Sequence, residues 1–376
     1  MTSTLPQSTH LHSTEKDGPV QSAARMDSLG LPGHAYTSAD WFANEQQTLW
    51  RTTWQWIGRI EEIPNPGDYL TGMLGQEPIV VIRQADQSLR AMHNVCPHRG
   101  ARLLGGAGTI GQVMRCPYHA WTYRPDGQLI AVSQPQQFPT LDLANIQLLS
   151  ASIECWDGFI FVNPSPDAEA LTDYLGDIPD FFAQYDDAFS ELREVSRWTY
   201  REPVNWKFIV ENYAEDYHFS VVHPHSLGFY DVSKSVVTLT EPHCLFHIPY
   251  RDRAPDPQHR SMWKKGKSSY QGYLFPNMMI NTEDDHVSVF RLTPLNALET
   301  EIEVIIYQTP RQRSQYPCHL DQLKQSHDQV MAEDFEVCRL LQAGVHSRAY
   351  RVTQLATDRE KGVAQFHRSV CSYLSS

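Results

Sequence analysis

Two short segments constrain this chain more than anything else in it: Cys96-Pro97-His98-Arg99-Gly100 and Cys116-Pro117-Tyr118-His119-Ala120-Trp121. Each offers one thiol and one imidazole from a single tight loop, as Cys-x-His in the first and Cys-x-x-His in the second. Pro97 and Pro117 stiffen the loops, while Gly100, Gly105 and Gly106 permit sharp turns. The seventeen residues 99–115 separate His98 from Cys116, enough for strands that bring the two loops side by side. The surrounding stretch, about Gly58 to Pro164, suits that demand. Short β-prone runs such as Ile79-Val80-Val81-Ile82 and Phe159-Ile160-Phe161-Val162 alternate with turn signals such as Asn65-Pro66-Gly67-Asp68 and Pro125-Asp126-Gly127. A small antiparallel β domain is expected.

Two thiolates and two imidazoles can hold one tetrahedral zinc, or a [2Fe–2S] cluster in which both thiolates bind one iron and both imidazoles the other. Zinc-finger spacing pairs Cys with Cys and His with His. Here the types alternate, which suits the cluster, and neutral imidazole in place of thiolate raises its potential. The remaining cysteines, at 155, 244, 318, 338 and 371, have no metal-ligand neighbours and read as small apolar residues. Seven cysteines at irregular spacing make no disulfide framework.

The chain is 376 residues long, more than one core usually organises, so a second domain should follow. Its net charge of −13 and lack of a dense Lys/Arg run exclude a nucleic-acid surface. No apolar run is long enough to span a membrane. Residues 1–35 are polar and read as a flexible leader without a secretion signal, which implies a cytoplasmic protein. Phe42, Leu49, Trp50 and Trp54 recur at helical spacing, so residues 36–57 should form an N-terminal helix packed on the second domain. Residues 58–164 form the β domain and 165–376 an α+β domain. In the latter, helices are expected at about 205–222, ended by Pro224, and at about 323–343, with strands at 287–292 and 301–307. Ile302, Val304 and Ile306 alternate with Glu301, Glu303 and Ile305, as on a half-buried sheet.

A second group of ligand types lies in Glu211-Asn212-Tyr213-Ala214-Glu215-Asp216-Tyr217-His218, followed by His223-Pro224. On an ideal helix His218 and His223 point about 140° apart. They can share an ion lying between their directions, or on a distorted helix. Downstream, Val330, Asp334, Cys338 and Leu341 fall on one helical face. An acid within an apolar stripe is costly unless paired or bound to metal; Glu333 lies off that stripe.

Taken together, these motifs resemble the Rieske non-haem iron oxygenases, over about residues 40 to 350. The resemblance implies that Cys96, His98, Cys116 and His119 hold the cluster. It implies that His218, His223 and Asp334 form the two-His, one-carboxylate triad of a mononuclear Fe(II), with Glu333 next in line should Asp334 fail. It implies that Glu215, three residues before the first iron-binding His, links the two centres. Ala120 departs from the Gly of many relatives. The form Glu-Asn-Tyr-x-Glu-x-Tyr-His looks like the branch acting on choline, carnitine and betaine-type compounds.

The family further implies a terminal oxygenase with O2 as co-substrate, in a homotrimer that sets the cluster of one subunit near the iron of the next. NAD(P)H is then used through a separate flavin/iron–sulfur reductase or ferredoxin, since the chain carries neither a plant-ferredoxin cysteine cluster nor a dinucleotide fingerprint. Hydroxylation or oxidative demethylation of a quaternary ammonium or N-methyl compound is the leading expectation. Ring hydroxylation of an aromatic acid or arene, a Rieske electron carrier and a zinc-binding protein are the alternatives. Tyr213, Phe229, Tyr230, Trp263 and Tyr273 are candidate pocket residues.

Overall fold

The computed structural model describes residues 30–251, 268–316, 320–351 and 354–375. Most of the expected leader, and Cys318 and Trp263, lie outside that set. The chain opens with α1 (Ala39–Gln47), capped by Ser38 accepting from the Trp41 N–H, and α2 (Leu49–Thr52). The single helix expected here is broken at Thr48, and Trp54 leads straight into a strand. Leu49 and Trp50 are nevertheless fully buried, against Trp206 and Phe366 of the second half of the chain.

Ten strands follow: β1 (Gln55–Arg59), β2 (Asp68–Leu74), β3 (Glu77–Arg83), β4 (Leu89–His93), β5 (Ala107–Thr109), β6 (Met114–Arg115), β7 (Thr122–Tyr123), β8 (Leu129–Ala131), β9 (Ser150–Trp156) and β10 (Phe159–Asn163). They build one antiparallel sheet in the order β1-β10-β9-β4-β3-β2-β5 and a small one, β6-β7-β8. The Cys/His loops fall between β4 and β5 and between β6 and β7, at one end of this β unit.

Two short helices, α3 (Leu171–Leu175) and α4 (Ile178–Phe182), connect to β11 (Arg193–Glu202). Then come α5 (Trp206–Tyr213), α6 (Phe219–Val222), β12 (Val236–Thr240), β13 (His243–Pro249), β14 (Ser268–Leu274), β15 (Met278–Thr282), β16 (Val287–Asn296) and β17 (Glu299–Gln308). The chain closes with α7 (Pro310–Gln315), α8 (Leu320–Gly344) and α9 (Lys361–Ser375). The second sheet, β11-β17-β16-β15-β14-β13-β12, is antiparallel throughout. The fold is therefore α+β, a β unit followed by an antiparallel sheet with helices. Among the described residues no helix is long and apolar enough to cross a membrane.

Both faces of the second sheet are buried at its centre. Ile302, Val304 and Ile306 pack with residues of α5, α8 and α9. Ile305 and Tyr307 face the other way, into a core shared with Trp54, Trp56, Phe159 and Phe161 of the β unit. The expected half-buried alternation thus holds only at the start of β17, because the first unit covers the outer face farther along. Asn277 ties the joint through its side chain, which accepts from the Trp56 N–H (3.1 Å) and donates to the Trp56 carbonyl (3.0 Å). Arg59, 1% exposed, donates to the Phe189 carbonyl and lies 4.4 Å over the Phe159 ring.

α1 is held by a buried ion pair. Glu45 Oε1 lies 2.5 Å from Lys207 Nζ, both side chains are fully buried, and Trp41 and Trp206 donate their ring N–H groups to the same carboxylate. These contacts offset the desolvation that an unpaired buried charge would suffer.

Candidate metal centres

The two Cys/His loops are built alike. In the first, the Gly100 N–H donates to the Cys96 carbonyl (2.9 Å) and the Cys96 N–H to the Ala101 carbonyl (2.8 Å). In the second, the Ala120 N–H donates to the Cys116 carbonyl (3.0 Å) and the Cys116 N–H to the Trp121 carbonyl (2.8 Å). The residue closing each turn is left-handed, with φ of +76° at Gly100 and +58° at Ala120. This is the physical reason Gly is favoured at the second position: an L side chain is strained there.

Both thiols are buried, and the His98 and His119 rings lie beside each other, with centroids 4.8 Å apart. The Nδ1 atoms of both rings are buried and have no hydrogen-bond partner. Such orphaned nitrogens are expensive unless a ligand completes them, so two thiols and two bare ring nitrogens fit a cluster. Trp121 stacks on His98 at 4.6 Å. The Tyr123 hydroxyl lies 3.1 Å from Cys96 Sγ. Sequence reasoning misses this residue; its only signal is its place four residues after His119.

The second group also comes together. One ligand atom each from His218, His223 and Asp334 lie within 4.8 Å of one another, the one such group among the described residues. The four loop residues do not converge in that way, as ligands of a single tetrahedral zinc would. The helix expected over 205–222 is interrupted between α5 and α6. Glu215 makes the break: its carboxylate accepts from the backbone N–H groups of Tyr217 and His218, so α6 starts afresh at His218. The interruption removes the 140° divergence. His218 begins the one-turn helix, His223 ends it, and both rings turn toward Asp334 on α8.

Each imidazole has a carboxylate behind it. His218 Nδ1 lies 2.5 Å from Glu215 Oε1, and His223 Nδ1 lies 2.7 Å from Glu333 Oε2. The inward nitrogens face Asp334 Oδ1, at 2.8 Å from His223 Nε2 and 3.5 Å from His218 Nε2. Outward carboxylates fix which nitrogen bears hydrogen and leave the inward lone pairs for a cation. The same arrangement favours positive charge on the rings themselves. Burial lowers the His218 pKa, but Asp334 and Glu215 outweigh it and hold it up at about 9. Burial alone would raise the pKa of Asp334; the two imidazoles keep it below the usual carboxylate range. Asp216 turns away, to Arg359 at 2.9 Å.

The helical stripe that seats Asp334 is offset from the expected one. Met331, Phe335, Cys338 and Gln342 are the buried positions of α8, whereas Leu341 is 43% exposed. Asp334 flanks that stripe, at the edge of a cavity of about 800 Å³. Tyr213, Phe229 and Tyr230 line this cavity, as expected, together with Phe219, Phe246 and Glu283. Tyr273 does not; it is packed in the core. Cys155 is exposed rather than an interior apolar residue.

A cluster-shaped Cys/His site on a β unit, joined to a His/His/Asp trio beside a cavity, defines a class of protein that couples an electron carrier to a catalytic ion. The comparisons agree. Residues 53–146 match the Rieske [2Fe–2S] domain and residues 189–376 the ring hydroxylating alpha subunit (catalytic domain). The carnitine monooxygenase oxygenase subunit of Escherichia coli (strain K12) is 30% identical, over 90% of this chain and 91% of the relative. The glycine betaine monooxygenase oxygenase subunit of Pseudomonas aeruginosa (strain PAO1) is 26% identical, over 97% and 94%. The solved structure of a quaternary ammonium Rieske monooxygenase superposes with a TM-score of 0.81 at 28% identity, covering 93% of this chain and 97% of that one. Naphthalene 1,2-dioxygenase shares the fold, with a TM-score of 0.75 at 20% identity. The chain belongs to the Rieske non-haem iron oxygenases, as a terminal oxygenase subunit. Enzymes of this kind work with a Rieske [2Fe–2S] cluster, a mononuclear iron and a separate reductase.

Proposed function

We propose that this oxygenase acts on a quaternary ammonium or N-methylated compound. Cys96, Cys116, His98 and His119 would hold its cluster, and His218, His223 and Asp334 its catalytic iron. The observation that carries the substrate class is the cavity wall, where the aromatic rings of Phe219, Phe229, Tyr230 and Phe246 stand with carboxylates. Ring faces attract a methylated cation, which cannot donate hydrogen bonds. Two relatives, the carnitine and glycine betaine monooxygenase oxygenase subunits, support the same class.

An iron held by His218, His223 and Asp334 would supply O2 activation, with two electrons passed one at a time from the reductase through the cluster and two protons, so that one oxygen atom would enter a C–H bond next to nitrogen and the other leave as water. The hydroxylated carbon then loses its C–N bond, giving an aldehyde and a tertiary amine. The protein's own part is positional. Glu215 and Glu333 orient the imidazoles, Phe219 packs on both of them, and the aromatic wall places the cation.

Glu215 finds its hydrogen-bond partners within its own segment, while its neighbours Tyr217 and Val221 are 61% and 79% exposed. Tyr118, beside the cluster loops, is 55% exposed. These two surfaces support a homotrimer in which Glu215 of one copy meets the cluster loops of another.

The test is O2 uptake with a surrogate reductase across choline, betaine, carnitine and aromatic acids. Uptake coupled to release of formaldehyde or another aldehyde and a tertiary amine is expected from the ammonium compounds. Turnover with neutral or anionic aromatics alone would replace this reading with ring hydroxylation.

A further inference from the structure

One buried carboxylate in the cavity wall has no part in holding either metal. Glu283 follows β15, and its backbone is fixed: its N–H donates to the His286 carbonyl (2.8 Å), and its carbonyl accepts from the Tyr185 hydroxyl (2.7 Å) and Gln312 (3.2 Å). Its side chain accepts from two tyrosines, Tyr230 on one oxygen and Tyr250 on the other, the latter at 2.6 Å. Gln271 Nε2 donates to the Tyr230 oxygen at 3.0 Å, which commits the Tyr230 proton to Glu283.

The rings so held lead to the catalytic trio. Phe219 lies 5.0 Å from the His218 ring and 5.6 Å from the His223 ring, centroid to centroid. Tyr230 is 6.1 Å beyond Phe219, with Phe229 at 4.4 Å and Tyr250 at 5.8 Å from it. A methylated ammonium against Phe219 and Tyr230 would therefore be one ring away from the imidazoles.

We propose that Glu283 is the specificity-determining residue of this wall. By accepting from Tyr230 and Tyr250 it locks their rings and draws their protons outward, leaving the ring faces richer in electrons for a cation. This rests on the ammonium-substrate reading above. Glu283 acts through the rings because a trimethylammonium group offers no N–H for a direct hydrogen bond, whereas ring faces favour it. Burial, then the Glu283 charge, hold the Tyr230 hydroxyl far above its ordinary pKa, so it remains a donor at any working pH.

The experiment measures Kd by calorimetry on protein loaded with cluster and iron, for choline and for its neutral carbon isostere, in which tert-butyl replaces trimethylammonium. Wild type should prefer the cation. Glu283→Gln should cut the cation-to-neutral affinity ratio by about tenfold, the scale of a desolvated cation–ring contact, with the neutral compound's Kd little changed. Tyr230→Phe keeps the ring and removes one donor, so its ratio should fall by less, about threefold; it serves if Glu283→Gln does not fold. A folded variant of either kind that keeps the wild-type ratio overturns the role of Glu283 while leaving the substrate class standing. A wild-type protein with no preference for the cation overturns the substrate class, and this inference with it.

Discussion

Replacing Glu215 by Gln should loosen and disconnect the catalytic ion without dismantling the site. Three acceptor contacts meet on this carboxylate: His218 Nδ1 at 2.5 Å, the His218 N–H at 3.1 Å and the Tyr217 N–H. An amide of the same shape has one acceptor oxygen and no charge. The oxygen can serve either the imidazole or the backbone donors, so one side of the arrangement fails. A hydrogen bond to a charged group contributes about 1.5–3 kcal/mol, which corresponds to about 10- to 150-fold in iron affinity, in line with the loss usual for a carboxylate behind a metal-bound imidazole. Competition with a ferrous chelator measures this directly, while the visible spectrum reports an intact cluster. At saturating iron, stopped-flow reoxidation of the dithionite-reduced cluster, with substrate and O2, should slow by more than tenfold, because Glu215 is also the proposed link between centres. Asp216→Asn, whose buried carboxylate pairs with Arg359 and touches neither imidazole, should leave both measurements within about twofold. Wild-type affinity and reoxidation in Glu215→Gln, with Asp216→Asn stalled, would refute this and move the link one residue along.

Asp334→Ala should lose the mononuclear iron while keeping the cluster spectrum, because two imidazoles alone hold Fe(II) weakly; metal analysis finding three irons per chain would instead point to Glu333. Ala120→Gly should stabilise the second loop by about 0.5–1 kcal/mol, since relief of left-handed strain exceeds the added chain entropy, and Gly100→Ala should do the reverse; thermal loss of the cluster absorbance reads both. His243 is fully buried between the Tyr174 carbonyl and the Phe275 N–H, and burial pushes its pKa down to about 4. The unfolded chain takes up this proton first, near pH 6.5. Stability from this group is therefore complete above pH 6.5 and lost as pH falls toward 4, by about 3 kcal/mol at 1.36 kcal/mol per pH unit. The urea-stability difference between wild type and His243→Gln should shrink by that amount over this window; a constant difference would show the imidazole is not held neutral.

How much of this was legible in the sequence follows the range of each interaction. The cluster loops could be read because thiol, imidazole and turn residue sit within five positions of one another. So could the trio's members, once the first site gave them context. The break between α5 and α6 could not: no Gly or Pro marks it, and it arises because one side chain, Glu215, competes with the backbone for N–H groups that a continuous helix would use. The buried face of α8 was misplaced by part of a turn, since Leu341 and Met331 are equally apolar and only the neighbouring α5 decides which turns inward. Glu333 reads from the sequence only as a reserve ligand, not as the carboxylate behind His223, and Glu283 has no local signal at all. Their partners, His223 for one and Tyr230 with Tyr250 for the other, are brought to them by other elements of the catalytic half.

The shared core at the joint has a consequence for timing. Trp56 and Phe159 belong to the strands of the cluster-bearing unit and, at the same time, to the packing beneath the catalytic sheet. Swinging the whole cluster-bearing unit as a hinged arm would uncover those rings, and burying such side chains is worth roughly 1.5–3 kcal/mol each. The cluster would therefore be mounted rather than carried, and in the proposed trimer electrons would cross a gap whose width is set at assembly. Any dependence of electron delivery on substrate must then originate at the ends of the path, in protonation and ligation around His218, and not in travel along it.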